Sequence, residues 1–343
     1  MRTSHITSFI ITLLVMSVAS CSGFDSTPAI DTQVTIATKE RIILVQPTSK
    51  STIPAFFQTK LPPPEQNDKS PFPTLSAEEA KILLLELVHN PKDCPLPCLW
   101  NLQPGQTTAK VAYDFVSQFG YIKTDELEIV SEYFGNSGGV GISHKMDDIH
   151  IVTDFSYYYS QSGEVVNLLH LYSYTLKDYG ADPITGLPQL APIWATEQFN
   201  QEMQSYLLST ILKLYGLPDE VLVGTWLEEA DYYGSVTYRP FSLLLLYLQH
   251  GFIIEYQSIR GSIGEDYTGC PYESHIKITT WSPKDNVSMQ EITEKASFTI
   301  SIESLRPIDE VTDLTVESFY LKFRDEKTRL CIHTPAKLWQ ALP

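Results

Sequence analysis

Apolar residues along this chain keep a helical period, then alternate like strands, and then repeat that order. Behind the capping-box pair Ser76 and Glu79, Ala80, Leu83, Leu84, Leu87 and Val88 recur at helical spacing until Pro91 stops them. Thr107 is placed as the N-cap of a second helix that sets Val111, Ala112, Phe115, Val116 and Phe119 on one face and ends at Gly120. Strands are predicted at 127–134, 140–145, 149–159 and 165–174, separated by Gly, Asn, Asp and Ser turn residues. A looser segment with Pro183, Pro188 and Pro192 follows. The next helix is predicted from Thr196 through Phe199, Met203, Tyr206, Leu207, Leu208, Ile211, Leu212 and Tyr215 to Gly216. Strands at 221–226, 241–249, 252–260 and 274–281 come after it, with His250-Gly251 as a tight hairpin turn.

At an offset of 96, Val111, Ala112, Phe115, Val116, Phe119 and Gly120 fall on Leu207, Leu208, Ile211, Leu212, Tyr215 and Gly216. The expected fold class is therefore α+β: two tandem repeats, each a helix or helix pair followed by an antiparallel sheet of about four strands. The first repeat spans 76–180, a linker 181–195 and the second repeat 196–286. An extension at 287–343 carries a strand at 298–302, a helix from Thr315 bearing Phe319 and Phe323, then Cys331 and Trp339. Its aromatics predict that it packs back on the second repeat.

The N-terminus changes the picture from fold to address. Arg2 precedes an apolar run over 6–18 that ends Val18-Ala19-Ser20-Cys21, the form of a secretory signal over 1–20. That ending resembles the lipobox of bacterial lipoproteins, which implies cleavage before Cys21 and acylation of its sulfur and amine. Acyl chains bury roughly 0.8 kcal/mol per methylene and hold a protein firmly on a membrane. From 21 to 75 the chain is rich in Ser, Thr and Pro, including Pro62-Pro63-Pro64, and reads as a tether. As a flexible coil it spans roughly 40 Å, and as polyproline II roughly 170 Å. The run Ile42-Ile43-Leu44-Val45 leaves open an added strand. With 24 basic against 41 acidic residues, net charge −17, a nucleic-acid footprint is disfavoured, and the lipid rather than charge would keep the chain at the membrane.

Four cysteines remain beyond Cys21: Cys94, Cys98, Cys270 and Cys331. An exported compartment favours disulfides, and of three pairings Cys94–Cys98 with Cys270–Cys331 is preferred, because Pro95 and Pro97 already stiffen the close pair. Zinc would call for a second short-spaced pair, which the spacing lacks. Gly135-Asn136-Ser137-Gly138-Gly139 resembles the nucleophile loop of chymotrypsin-like and HtrA-like serine proteases, with Ser137 as the nucleophile. Too little chain precedes it for the double barrel that builds such a site, and a glycine-rich turn is the expected reading. Glu228, Glu229 and Asp231 suggest a paired-carboxylate site, but neighbours on a strand point apart. Gly264-Glu265-Asp266 lacks the alternating oxygen ligands of a calcium loop. His144, His150 and His170 fall on predicted strands as wet-face residues. Among nineteen tyrosines, Tyr157 with Tyr159 and Tyr172 with Tyr174 share strand faces and are candidates for an exposed aromatic patch.

The order Gly105-x-Thr107, a helix ending in glycine, then an antiparallel sheet resembles the small helix-plus-sheet lipoproteins of the outer-membrane β-barrel assembly machinery. Doubled, it resembles the β-lactamase inhibitor protein type. Those families bind proteins, so the resemblance implies a non-catalytic binding or assembly module with no cofactor. The Cys94–Cys98 loop, the tether and the cysteine-tied tail belong to neither pattern. Cys94-x-x-Pro97-Cys98-x-Trp100 with Pro104-Gly105-x-Thr107 also resembles lipoproteins of Chloroflexota-type bacteria, which implies a family and no activity. The expectation is a lipid-anchored protein on the extracytoplasmic side of the cell membrane, partnered by another protein. A cell-wall or polysaccharide binder is the first alternative and a hydrolase the second.

Overall fold

The computed structural model describes residues 75–89, 94–134, 136–159, 164–181, 188–225, 230–232, 236–238, 240–284, 288, 292, 304–325 and 329–339. The signal at 1–20, Cys21, all but the last residue of the tether, the 42–45 run and the strand expected at 298–302 lie outside them.

The Ser76 hydroxyl and amide both donate to Glu79 Oε2, at 2.6 and 2.9 Å, and start α1 (Ala77–His89), which buries Ala80, Leu84, Leu87 and Val88. The Cys94–Cys98 disulfide then leads into a two-residue turn in which Leu99 and Leu102 exchange backbone bonds of 3.0 and 2.8 Å. Trp100 (φ 52°) and Asn101 (φ 61°) are both left-handed there, as a type I′ turn requires. That turn drives Trp100 inward to stack on Phe155 at 4.6 Å.

Helix α2 (Ala109–Ser117) is capped by Thr108, which accepts from the Val111 amide at 3.3 Å, rather than by Thr107. Thr107 Oγ1 instead accepts from the Gln103 amide at 2.8 Å and closes the preceding turn. The expected face is kept except at its first residue. Ala112, Val116 and Phe119 are buried, whereas Val111 is 53 % exposed.

Strands β1 (Tyr121–Lys123), β2 (Leu127–Phe134), β3 (Ser137–Met146), β4 (Ile149–Tyr159) and β5 (Val166–Ala181) run as an antiparallel meander. β6 (Pro188–Pro192) pairs with the far end of β5. The single helix expected from Thr196 is broken into α3 (Glu197–Glu202), a 3-10 turn at Gln204–Tyr206 and α4 (Leu208–Tyr215). Leu207 is extended between them, and the Tyr206 carbonyl accepts the Tyr256 hydroxyl at 2.8 Å, so a side chain satisfies a group at the break. Gly216 (φ 78°) ends α4, as expected.

Next come β7 (Glu220–Thr225), the hairpin of β8 (Ala230–Tyr232) and β9 (Val236–Tyr238), then β10 (Pro240–Tyr247) and β11 (Phe252–Ile259). The β10–β11 connection is longer than a two-residue turn: a 3-10 turn over Leu248–His250, then left-handed Gly251. β12 (Gly261–Ile263), β13 (Asp266–Gly269) and β14 (His275–Trp281) follow. The tail supplies β15 (Arg306–Pro307), the one-turn α5 (Ile308–Val311), α6 (Val316–Phe323) and β16 (Ile332–Pro335). β16 pairs with β13 in a three-stranded sheet beside the Cys270–Cys331 disulfide.

The fold is α+β, as expected, but the strands do not form two separate sheets. They lie in one eleven-stranded antiparallel sheet ordered β1-β2-β3-β4-β5-β14-β11-β10-β7-β15, with β6 beside β5. The join is β5 against β14, the last strands of the two runs, from Ile276 opposite Ser173 to Trp281 opposite Leu168. Pairing them removes two exposed edges. One face of this sheet carries Ile129, Val140, Phe155, Leu171, Ile278, Ile254, Leu243 and Val223, packed under residues of α1, α2, α3, α4 and α6 in the main core. The opposite face carries the polar groups that matter below.

Candidate functional site

Directly opposed residues form a line across that opposite face: Glu255 on β11, Lys277 on β14, Tyr172 on β5, Asp154 on β4 and Gly141 on β3. At its β11 end the line is buried. Glu255 has no exposure, accepts from Ser242 Oγ at 2.6 Å and lies 4.0 Å from Lys277 Nζ. Lys277 sits over the Tyr172 ring at 4.5 Å, and burial pulls its pKa down against the pull of Glu255. His275 beside it is buried, its Nε2 set to donate to the Ile193 carbonyl at 2.9 Å, and burial lowers its pKa to about 4.

At its β3 end the same line opens into a groove of about 420 Å³. Three strands build it by ordinary alternation. β2 contributes Glu128, Val130 and Glu132, β3 contributes Ser137, Gly139, Gly141 and Ser143, and β4 contributes Asp154, Ser156 and Tyr158. The two glycines make the floor. A Cβ on Gly139 would stand 2.4 Å from the Phe155 carbonyl oxygen, and one on Gly141 would stand 3.0 Å from Asp154 Oδ1. Larger residues there would fill the groove or displace the carboxylate. The pKa of Asp154 is pushed up to about 6, first by burial and then by the charge of Glu132, against a hydrogen bond donated by the Tyr174 hydroxyl.

The candidate residues read from the sequence are distributed as follows. Ser137 lies in β3, opposite Phe134 and Tyr158, and lines the groove as a strand residue rather than as part of a glycine-rich turn. The four tyrosines do not make one exposed patch. Tyr157 and Tyr159 point to the helix-covered face and Tyr172 and Tyr174 to the other, because β4 and β5 pair Tyr157 with Leu169 and Tyr172 with Asp154. Tyr157 is 1 % exposed and Tyr174 7 %. Each pair does stack, at 6.3 Å for Tyr157–Tyr159 and 4.6 Å for Tyr172–Tyr174. The exposed aromatics near Tyr157 are instead Tyr113 on α2 and Tyr133 on β2, with rings 4.7 Å apart. Gly138 allows this: a Cβ there would lie 2.6 Å from the Tyr157 hydroxyl.

His144 is not a wet-face residue; it pairs with Glu202 at 2.9 Å in a smaller cleft under α1 that Leu84, Val88 and Ile142 also line. His150 contacts Ser143 Oγ at 3.3 Å and His170 contacts Thr279 Oγ1 at 3.1 Å, so the three histidines serve three neighbourhoods. Among the described residues no three His, Cys, Asp or Glu side chains cluster as a metal site. Cys94–Cys98 and Cys270–Cys331 are disulfides, the preferred pairing. Glu228 and Glu229 lie outside the described residues, and Gly264-Glu265 is the turn between β12 and β13.

Glu132, Asp154 and Gly141 were not singled out by sequence, and Gly139 only as part of a glycine-rich turn, although a signal was present. Small or polar residues at 128 and 132, at 137, 139, 141 and 143, and at 154 and 156, broken by Val130 and Val152, mark a face more polar than the helix-covered one. No protein-family model, curated protein or solved structure matches this chain.

Proposed function

We propose that this chain is a lipid-anchored extracytoplasmic protein whose head is a non-catalytic protein-binding or assembly module, tethered through Cys21. The observation that carries the reading is the groove over β2, β3 and β4. Its glycine floor exposes strand backbone, and its walls offer carboxylate and hydroxyl groups at strand spacing, the complement of an extended segment of another chain. The head is read further as two tandem repeats. The support is a shared order of helix, positive-φ glycine just after it (Gly120 or Gly216), and four antiparallel strands, β2 to β5 and then β7, β10, β11 and β14.

A photo-cross-linking residue at Ser156, compared with one at the exposed Leu321 on α6, tests the module in its native membrane. The expected result is one discrete protein adduct from position 156 and none from 321. Adducts from 321 alone, or none from 156, would remove the groove as the binding surface. A polysaccharide-binding role is the second reading, favoured by the exposed Tyr113–Tyr133 pair. Retention on isolated peptidoglycan that disappears in Tyr133→Ala would promote it over the first.

A further inference from the structure

The groove has a charge pattern that defines its occupant more closely. Glu132 on β2 and Asp154 on β4 flank β3 where Gly139 and Gly141 leave no side chain between them. Two strand spacings of about 4.8 Å and the diagonal offset put their backbones roughly 10–12 Å apart. Asp154 Oδ1 already leans over Gly141, and a Glu132 carboxylate turned towards it would leave a gap that suits one nitrogen donor at about 2.8 Å from each.

The neighbouring cations are engaged elsewhere. Lys123 holds Glu128 at 3.1 Å, Lys145 holds Asp178 at 3.1 Å, and Lys277 lies over the Tyr172 ring beside Glu255. Asp154 takes a hydrogen bond from Tyr174, but its other charged influence is the repulsion of Glu132.

We propose that the groove receives a lysine or arginine side chain of a partner polypeptide, seated over Gly141 between Glu132 and Asp154. This rests on the groove being a protein-binding surface. The ligand's cation relieves the repulsion between the two carboxylates, and the wall hydroxyls of Ser137, Ser156 and Tyr158 border the segment that carries it.

The groups around Asp154 are Glu132 and Glu128 from β2, with Lys123 from β1, and Ser143 from β3 with His150 behind it. Tyr172, Tyr174 and His170 stand on the same face of β5, and Lys277 follows on β14. Asp154 is the group among them whose pKa is raised to about 6, so binding weakens as pH falls through that value.

The test uses the full acylated chain in detergent and fluorescent peptides of alternating serine and lysine, or serine and glutamine, read by anisotropy. The lysine peptide is expected to bind at least about tenfold more tightly than the glutamine peptide, and Asp154→Asn or Glu132→Gln to remove about tenfold of that affinity. Glu265→Gln, at an exposed turn away from the groove, controls for the general attraction of a chain of net charge −17 and leaves binding unchanged. The wild-type affinity falls below about pH 6 and that of Asp154→Asn does not. An equal loss in Glu265→Gln, no preference for lysine, or unchanged binding in both groove variants overturns the proposal. If a variant unfolds, Gly141→Val blocks the seat from the backbone side and the same loss is required of it. Should the lysine peptide fail while position 156 still cross-links a protein, the cation seat is wrong and the module reading survives; absence of both removes the two together.

Discussion

Asp154 shows how a single residue is set by its neighbours on three strands. An aspartate of ordinary pKa 3.8 becomes one of about 6 because burial and Glu132 both disfavour its charge. Its folded pKa is raised, so the folded state holds the proton more tightly than the unfolded state. Stability contributed by this group is therefore greatest below about pH 4 and declines as pH rises towards 6 and beyond. Asp154→Asn keeps an acceptor for Tyr174 and removes the charge. It is expected to stabilise the protein by up to about 3 kcal/mol at pH 7.5, the gain vanishing below about pH 4. Chemical denaturation of both forms across that range measures it, and a gain that grows towards acid would contradict the assignment.

At the scale of elements, hairpins and turns depend on a few glycines whose surroundings differ. Gly251 (φ 77°) closes the β10–β11 connection, and a Cβ on it would stand 2.4 Å from the Trp281 carbonyl oxygen. Gly264 (φ 61°) turns β12 into β13 with nothing within 4 Å. Both alanine substitutions incur the left-handed penalty of about 1–2 kcal/mol, but only Gly251→Ala adds a clash with backbone. Urea midpoints should show Gly251→Ala as the more destabilised by at least about 1 kcal/mol. Equal midpoints would mean that the sheet yields at β14. The turn at Leu99–Leu102 works in the other direction: Trp100 accepts a left-handed φ of 52° because its ring then stacks on Phe155.

For the whole molecule, two covalent ties act over different lengths. Cys94–Cys98 spans four residues and Cys270–Cys331 spans 61, joining the strand region before β14 to the tail before β16. Loop-closure entropy assigns about 2 kcal/mol to the first and about 4 kcal/mol to the second. Paired Cys→Ser variants should therefore lose more stability at 270 and 331 than at 94 and 98. The intact mass of protein extracted with native membranes, before and after reduction and alkylation, belongs to the same experiment. Four thiols appearing only on reduction, on a chain carrying acyl mass from Cys21, is the expected outcome; an unmodified Cys21 would detach the proposed function from the membrane.

Much of this was legible in one dimension. The strands at 127–134 and 149–159, the caps at Ser76, Thr196 and Thr315, the stop at Gly216 and the cysteine pairing all follow from local chemistry and spacing, whereas α2 is C-capped at Gln118, before the expected Gly120. A period of two says which residues share a face of a strand, and nothing in it says which face will be covered. That decision needed the β5–β14 pairing, whose partners such as His170 and Thr279 lie 109 residues apart. It sent Tyr157 under the helices, turned Tyr172 and Tyr174 the other way and aligned Glu255, Lys277, Tyr172 and Asp154 across one face. The sequence by itself determined the elements and their covalent ties, because caps, turns and disulfides act over a few residues or by chemical identity. The tertiary structure alone decided the groove and the charge of its walls, because burial and repulsion exist only after distant strands have met.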